Sequence, residues 1–394
     1  MSHAEPPEKV FASFMMGGFE SATHMNKSHV RLDMIASTQH DTQAATDYAL
    51  VNEVGLKTVR DGTRWHLIET SPGVYDFSSL DSIADAALDN DIQVIWNLMH
   101  YGWPDDLDIF GDDFVPRFRA YSSAVARHLR DKAIAAGKDN TPFYAPVNEI
   151  SYLAWGATDG QLMYPHAAGR GVELKEILVR AAIAAMDAVW EVDPRARFIH
   201  VDPLLSIMHP RGIEHHLDEA KVFHDTQYEA WDMLAGMAQP ELGGHPKYLD
   251  IIGVNFYHIN QWEHPVGNVL CWATRPRDDR WRRFSEIVPE LYHRYKRPFI
   301  LSETSHVGVG RAEWLQEITI DVLLLKKRHI PIMGVCLYPI IDRTDWDDPE
   351  HWHNSGLWDY EIQSDGHLKR VIVKDYAHQI KCTQELVEEP LTLA

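Results

Sequence analysis

The segment Phe143-Tyr144-Ala145-Pro146-Val147-Asn148-Glu149 is a short apolar run that ends in an asparagine and a glutamate. A second apolar run, Pro298-Phe299-Ile300-Leu301-Ser302-Glu303, also ends in a glutamate. Such runs are typical of buried strands, and a charge at the end of a buried strand is unfavourable unless it has a task. Because the carboxyl ends of barrel strands meet at one rim, we expect both carboxylates to face one pocket.

Eight strand-like runs occur along the chain, with helical patterns between them. The runs span residues 10–17, 57–61, 92–98, 143–147, 197–201, 248–255, 298–302 and 331–338. A typical helical stripe consists of Phe114, Phe118, Tyr121, Val125 and Leu129, which lie on one face of a helix. Continuous apolar strands separated by amphipathic helices predict an α/β fold with a covered parallel sheet. Eight such units predict a (β/α)8 TIM barrel.

The connections that follow the strands are long, whereas those that precede them are short. The long connections span residues 18–42, 99–113, 148–171, 203–220, 256–280 and 339–365. In a TIM barrel, the loops after the strands build the site at one rim. No linker or shift in composition divides the chain, so we predict a single domain over residues 1–394, in which residues 1–9 form a disordered or extended tail.

Composition excludes several classes of function. A formal net charge of −21 opposes binding to nucleic acid or anionic membranes and favours neutral ligands. The three cysteines, Cys271, Cys336 and Cys382, lack a C-x-x-C spacing, so neither a disulfide framework nor a zinc site is indicated. The first ten residues lack the apolar core of a signal peptide and no run reaches the length of a membrane span, which predicts a cytoplasmic protein. No feature indicates an oligomeric state.

Paired carboxylates that face each other across a pocket are the machinery of glycoside hydrolysis. One carboxyl must be protonated to donate to the leaving oxygen, and the other must be ionised to attack the anomeric carbon. Glu149 and Glu303 are therefore the candidate catalytic residues, and the structural alternative is an ion pair at the barrel rim. We predict a carboxyl separation of ~5–5.5 Å and a retaining mechanism, since ~6.5–9.5 Å would indicate inversion. The reaction needs no cofactor or metal.

Six segments, in order along the chain, resemble the motifs of the family 1 glycoside hydrolases, which are TIM-barrel retaining β-glycosidases of clan A. The segments are residues 59–68, 98–104, 148–149, 250–257, 302–304 and 340–346. The resemblance extends from about Phe11 to Tyr360 and implies that Glu149 is the acid/base and Glu303 the nucleophile. It also implies a set of substrate-binding residues, namely Glu20, Arg60, His100, Trp103, Asn148, Asn255, Tyr257, Tyr338, Asp345 and Trp346.

The chain departs from this family at several positions around the pocket. Ile150 follows the acid glutamate where the family has proline, and Thr304-Ser305 replaces Asn-Gly after the nucleophile. Glu20 stands in place of a glutamine, Tyr338 in place of a tryptophan and Asp345 in place of a glutamate. These changes fall where the sugar is recognised, so the identity of the sugar stays open.

Two further hypotheses belong to other classes of function. The first is a non-catalytic carbohydrate-binding barrel, which the altered surroundings of both glutamates allow. The second is a metal-dependent barrel hydrolase, indicated only by the 23 histidines. Such enzymes place a His-x-His pair at the end of strand one, where this chain has Met15-Met16-Gly17-Gly18, and we interpret His351-Trp352-His353 as structural. The resulting prediction is an exo-acting, β-glucosidase-like retaining β-glycosidase that acts on a small-molecule glycoside or oligosaccharide.

Overall fold

The computed structural model describes residues 10–388, and eight parallel strands within them close into a barrel. In chain order the strands are β1 Met15–Gly18, β2 Thr58–Gly62, β3 Gln93–Asn97, β4 Phe143–Ala145, β5 Arg197–Pro203, β6 Ile251–Asn255, β7 Phe299–Thr304 and β8 Ile332–Leu337. Each strand pairs with the next along the chain, and β8 pairs with β1 through Met15 and Val335. The eight predicted strands and the (β/α)8 barrel are confirmed.

Helices cover the outside of the barrel. The longer ones are His40–Glu53, Ser78–Asp89, Phe114–Ala135, Gly171–Val192, Leu217–Asp225, Phe284–Tyr295, Gly310–Lys327 and Lys374–Glu388, and the shorter ones are Met34–Ser37, Trp65–Ile68, Ile150–Gly156 and Glu229–Ala235. Single 3-10 turns span Glu214–His216, Thr226–Tyr228, Pro240–Leu242 and Pro246–Tyr248. The predicted stripe on Phe114–Ala135 is buried except for its last member, Leu129, and its three aromatic side chains pack against the ring of Trp65.

The core has two layers because alternate residues of each strand face opposite sides of the sheet. The inner layer fills the barrel with side chains that include Met16, Ile95, Ile199, Ile251 and Ile300. The outer layer lies between the strands and the helices. This alternation directs successive residues of β2 to opposite sides of the sheet, so that Arg60 points into the barrel and Asp61 points towards the helices.

The loops after the strands contain short elements that the sequence did not predict. An antiparallel hairpin joins Trp358–Ile362 to Leu368–Ile372 in the connection after β8. Its turn contains Asp365-Gly366, with Gly366 at φ +84°, and Asp-Gly is a readable hairpin signal. Two strands of three residues each, Ser206–Met208 and Gln261–Glu263, tie the loops after β5 and β6 together. A small hairpin of Glu69–Ser71 and Val74–Tyr75 follows β2.

Three predictions about the whole chain stay predictions. The proposed tail at residues 1–9 lies outside the described residues, and the single domain over residues 1–394 extends beyond them at both ends. Within residues 10–388, no helix combines the length and the apolar character that a membrane span requires. The cytoplasmic location rests on the sequence alone.

Candidate active site

Glu149 lies just beyond β4, where the chain turns into the helix Ile150–Gly156. Its backbone N–H donates to the carbonyl of Val201 at 3.0 Å, and its φ of +50° is uncommon for a residue other than glycine. The carboxylate of Asp202 accepts from the backbone N–H of Ser151 at 3.0 Å and from its hydroxyl at 2.8 Å. This turn is therefore fixed from β5, and strained backbone of this kind clusters at functional sites.

The carboxyl group of Glu149 is buried without a cation. The residue is 8% exposed, and Asn255 Nδ2 donates to its Oε1 at 2.7 Å. Its Oε2 accepts from the hydroxyl of Tyr101, and none of residues 10–388 forms a salt bridge with it. Burial, and next the charge of Glu303, raise the pKa of Glu149 to about 8. At neutral pH this carboxyl group holds its proton.

Glu303, on β7, has the opposite environment. It is 5% exposed, and its Oε1 accepts from Arg60 Nη1 at 2.9 Å. Its Oε2 accepts from the hydroxyl of Tyr257 at 2.9 Å. Arg60 is fully buried, and a charged donor makes the stronger kind of hydrogen bond to a carboxylate. Glu303 is a neighbour of Glu149, because Asn255, which donates to Glu149, is the register partner of Glu303 on the adjacent strand.

Arg60 connects the two ends of the pocket. Its Nη1 also donates to the carbonyl of Ser302 at 2.8 Å. Its Nη2 donates to Asn148 Oδ1 at 2.8 Å and to Asn97 Oδ1 at 3.1 Å. One rigid guanidinium group therefore positions both Glu303 and the residue that precedes Glu149.

His100, which follows β3, is neutral and has a defined tautomer. Because Asn148 Oδ1 accepts from Arg60, the amide nitrogen of Asn148 faces His100 Nε2 at 3.1 Å and must donate to it. The proton of His100 consequently lies on Nδ1, which is 2.9 Å from Ser21 Oγ and 3.3 Å from the hydroxyl of Tyr338. Burial, and next the charge of Arg60, hold the pKa of His100 well below its usual value.

Glu20 stands after β1 and forms an ion pair that the sequence did not predict. Its Oε1 accepts from the backbone N–H of Ala22 at 3.0 Å, and its Oε2 lies 3.2 Å from Arg343 Nε. The same carboxylate is 4.0 Å from His100 Nε2. Glu20 therefore belongs to the same network of contacts as His100, Asn148 and Arg60.

The structure brings most of the predicted site residues together. Hydrogen bonds or ion pairs of 4.0 Å or less link nine of them, namely Glu20, Arg60, His100, Asn148, Glu149, Asn255, Tyr257, Glu303 and Tyr338. Trp346 joins them through an edge contact with the ring of Tyr101, with 5.8 Å between the ring centroids.

Two predicted residues lie apart from this network. Trp103 is buried against Phe114, and its indole N–H donates to the carbonyl of Leu107 at 3.0 Å. Asp345 accepts from the backbone N–H of Asp347 at 2.8 Å and contacts His353 Nε2 at 3.1 Å. Both side chains use their polar atoms within their own loops.

The sequence analysis did not select Tyr101, Arg343, Ser21 or Asn97. Tyr101 and Arg343 lie within the motif segments, so their positions could be found, but their contacts depend on how the loops fold. Tyr101 has φ +64°, a conformation that the sequence does not indicate for tyrosine. Among residues 10–388 there is no group of three or more His, Cys, Asp or Glu suited to hold a metal ion.

Comparisons with known proteins identify structures with the same fold. The family 1 β-glucosidase from Thermotoga maritima is 14% identical, with a TM-score of 0.74 over 99% of this chain and 100% of the other. The β-glycosidase from Thermosphaera aggregans is 14% identical, with a TM-score of 0.73 over 98% of each chain. The AHE enzyme from Alicyclobacillus herbarius is 16% identical, with a TM-score of 0.72 over 95% of this chain and 99% of the other.

No protein-family model matches the sequence, and no curated protein matches it significantly. The structural similarity nevertheless covers nearly the whole length of both chains in each comparison. The chain therefore has the TIM-barrel fold of the family 1 β-glucosidases.

Proposed function

We propose that this chain is a divergent family 1 glycoside hydrolase, an exo-acting and β-glucosidase-like retaining β-glycosidase. The observation that carries the proposal is the unequal environment of two neighbouring, buried carboxyl groups. Glu303 is ion-paired with Arg60, whereas Glu149 has no cation and a pKa raised to about 8. An acid and an ionised carboxylate side by side are what a double displacement at an anomeric carbon requires.

In the first step, Glu149 gives its proton to the glycosidic oxygen while the bond from that oxygen to the anomeric carbon breaks. The carboxylate of Glu303 forms the new bond to the anomeric carbon, which produces a covalent glycosyl ester and releases the alcohol. Arg60 and Tyr257 hold the two oxygens of Glu303 at 2.9 Å each. They fix its orientation towards the sugar.

In the second step, Glu149 is a carboxylate and removes a proton from a water molecule. The water oxygen bonds to the anomeric carbon and expels Glu303, so the configuration at that carbon is retained. The same residue therefore acts as acid and then as base. This exchange requires carboxyl groups that are ~5–5.5 Å apart.

The remaining residues of the network bind the sugar in this proposal. Asn148 and the neutral His100 present hydrogen-bonding groups beside the two glutamates, as do Glu20 and Tyr338. The ring of Trp346 offers an apolar face for the sugar. Support comes from a neighbouring structure, since the Thermotoga maritima β-glucosidase was solved in complex with glucoimidazole.

The experiment is a hydrolysis panel of aryl β-glycosides with the wild type and two variants. Glu303→Ala should lose turnover and keep sugar binding. Glu149→Ala should still form the glycosyl intermediate from activated aryl substrates, and added azide should restore its breakdown. No turnover by the wild type on the whole panel, with sugar still bound, would instead indicate a carbohydrate-binding barrel. Loss of activity with a chelator would indicate a metal-dependent hydrolase.

A further inference from the structure

The pair formed by Glu20 and Arg343 joins a buried carboxylate to a partly buried guanidinium group, in the wall formed with His100. The side chain of Glu20 is 3% exposed and that of Arg343 is 19% exposed. Burial raises the pKa of Glu20, and the nearby guanidinium group of Arg343 opposes that rise. Such a pair is worth little for stability compared with apolar packing. Its presence beside the glutamates therefore calls for a functional reason.

The same wall contains a histidine with unused hydrogen-bonding atoms. His24 is 2% exposed, and neither of its ring nitrogens has a partner within residues 10–388. The indole N–H of Trp346 is also without a partner there, and the two rings are 4.7 Å apart. Buried polar groups are nearly always hydrogen-bonded in folded proteins, so unpaired ones mark a place for the hydroxyl groups of a ligand.

This wall is directly connected to the glutamates. The ring of His24 lies 5.9 Å from that of Tyr101, whose hydroxyl donates to Glu149. The guanidinium group of Arg343 lies 5.3 Å from the ring of Trp346. Trp346, His24 and Tyr101 therefore connect Arg343 to the surroundings of Glu149.

The charges around the pocket balance. Arg60 pairs with Glu303, and Arg343 pairs with Glu20. Burial, followed by the charges of Arg31 and Arg343, lowers the pKa of His24 to about 3, so this ring is neutral. Asp345, the other acid close to Arg343, accepts hydrogen bonds from the backbone N–H groups of Asp347 and Asp348. A charged sugar would therefore bind beside these side chains without a counterion, which is unfavourable.

We propose that the Glu20–Arg343 ion pair, with His24 beside it, selects the sugar by its charge, given the β-glycosidase function proposed above. While both charges are present they cancel, and uncharged sugars bind through their hydroxyl groups. Removal of Glu20 leaves a positive charge that favours an anionic sugar. Removal of Arg343 leaves a negative charge that favours a cationic one.

The test compares kcat/KM for the 4-nitrophenyl β-glycosides of a neutral hexose, its uronic acid and its 6-amino derivative. Glu20→Gln should raise the uronide-to-neutral ratio by about tenfold, and Arg343→Gln should raise the amino-to-neutral ratio by about tenfold. The double variant, which removes both charges, should return both ratios to within about threefold of the wild type. Circular dichroism identifies any variant that does not fold. If one single variant fails to fold, the ratios of the other single variant and of the double variant test the charge selection.

The matched control is the more exposed pair of Lys27 and Asp347, 2.7 Å apart, which joins the same two connections, after β1 and after β8, as Glu20 and Arg343 do. Lys27→Gln and Asp347→Asn should leave both ratios unchanged. Ratios that stay at wild-type values in the Glu20 and Arg343 variants, or that move equally in the controls, would overturn the charge selection while the glycosidase function stands. A wild type that hydrolyses none of the glycosides would overturn the proposed function and the charge selection with it.

Discussion

Two groups of buried charges lie on opposite sides of strand β2. Comparing them distinguishes a cluster that stabilises the fold from a group that contains the candidate catalytic residues. Arg60 points into the barrel and contacts Glu303 at 2.9 Å. The next residue, Asp61, points outward, where its Oδ2 is 2.9 Å from His40 Nε2 and accepts from the hydroxyl of Tyr48 at 2.9 Å. Consecutive residues of a strand face opposite sides of the sheet, so one strand serves both groups.

The outer charge cluster, consisting of His40, Asp47, Asp61 and Arg370, is balanced. His40 Nδ1 is 2.8 Å from Asp47, and Arg370 binds both oxygens of Asp47 at 2.7 and 2.8 Å. Two cations therefore serve two carboxylates.

The inner group has two carboxyl groups, Glu149 and Glu303, and a single cation, Arg60. The outer cluster is a closed structural unit, whereas the inner group leaves Glu149 free to hold and transfer a proton. The lack of a cation beside one of its two carboxyl groups, more than burial itself, distinguishes the candidate catalytic residue.

The largest expected effect comes from Glu149→Gln. The amide cannot donate a proton as a carboxylic acid does, so kcat for an alkyl β-glycoside should fall by about 10²–10⁴-fold. At pH 7 the carboxyl group is protonated in the folded protein but ionised in the unfolded chain, so the variant should have a higher free energy of unfolding than the wild type there. Turnover assays and urea denaturation check both statements, and a kcat within threefold of the wild type would remove Glu149 from the mechanism.

The matched change in the outer charge cluster, Asp61→Asn, should act on stability. It leaves a buried His40 without one of its two carboxylates, which should lower the free energy of unfolding by about 3–5 kcal/mol. The control is Asp89→Asn at an exposed helix end, with an expected change within about 0.5 kcal/mol. A stability of Asp61→Asn equal to that of the control would show that the cluster is not a structural unit.

The pH dependence of activity tests whether Glu149 is the group that donates the proton. Because Glu149 must be protonated in the first step and its pKa is raised to about 8, kcat/KM should fall as pH rises through about 8. In Glu149→Gln, measured with an activated aryl glycoside, this alkaline decline should be absent. A decline at the same pH in the variant would assign it to another group.

The pH dependence of the free energy of unfolding should report the protonation of one residue from each group, Glu149 and His40. The pKa of Glu149 is raised from 4.5 to about 8, so the stability it contributes is full below pH 4.5 and is lost as pH rises through about 8. The pKa of His40 is raised from 6.5 to about 9 by Asp61 and Asp47, against the opposing effect of burial. Its contribution is full below pH 6.5 and is lost through about pH 9.

Urea titrations from pH 5 to pH 9 can separate these two contributions. The Glu149→Gln variant should gain stability relative to the wild type as pH rises from 5 to about 8. His40→Gln should be destabilised most at the acid end and should approach the wild type at the alkaline end. Differences that are independent of pH would contradict the assigned proton binding.

The smallest expected effect is that of Tyr101→Phe. The tyrosine hydroxyl donates to the ionised form of Glu149 and thereby lowers its pKa. Its loss should move the alkaline decline of kcat/KM to higher pH and reduce kcat by about two- to tenfold, the worth of one hydrogen bond. An unchanged pH profile would show that the Tyr101 hydroxyl does not influence the proton of Glu149.

The barrel could be predicted from the sequence because its signals are local. Each apolar run and each amphipathic stripe is readable by itself, and eight repeats leave few alternatives. The residues on the strands or just after them, such as Arg60 and Asn148, followed from the same logic, since the strands determine where their side chains point.

The loop residues could not be placed in the same way. Arg343 contacts Glu20 across more than three hundred residues of sequence, and Asp345 bends back to its own loop instead of facing the pocket. Both outcomes depend on the path of a long loop, which no local pattern determines. The left-handed backbone of Tyr101 and Glu149 is stabilised by tertiary contacts that only the folded chain provides.

The central claim is that Glu303 forms a covalent bond to the sugar while Glu149 transfers the proton. The most direct measurement is mass spectrometry of the enzyme after incubation with the 2-deoxy-2-fluoro analogue of a glycoside that it hydrolyses, because the fluorine slows breakdown of the intermediate. We expect the mass to increase by one fluorosugar, attached to the peptide that contains Glu303. Hydrolysis of the parent glycoside with inversion, or a sugar attached to any other residue, would contradict the account.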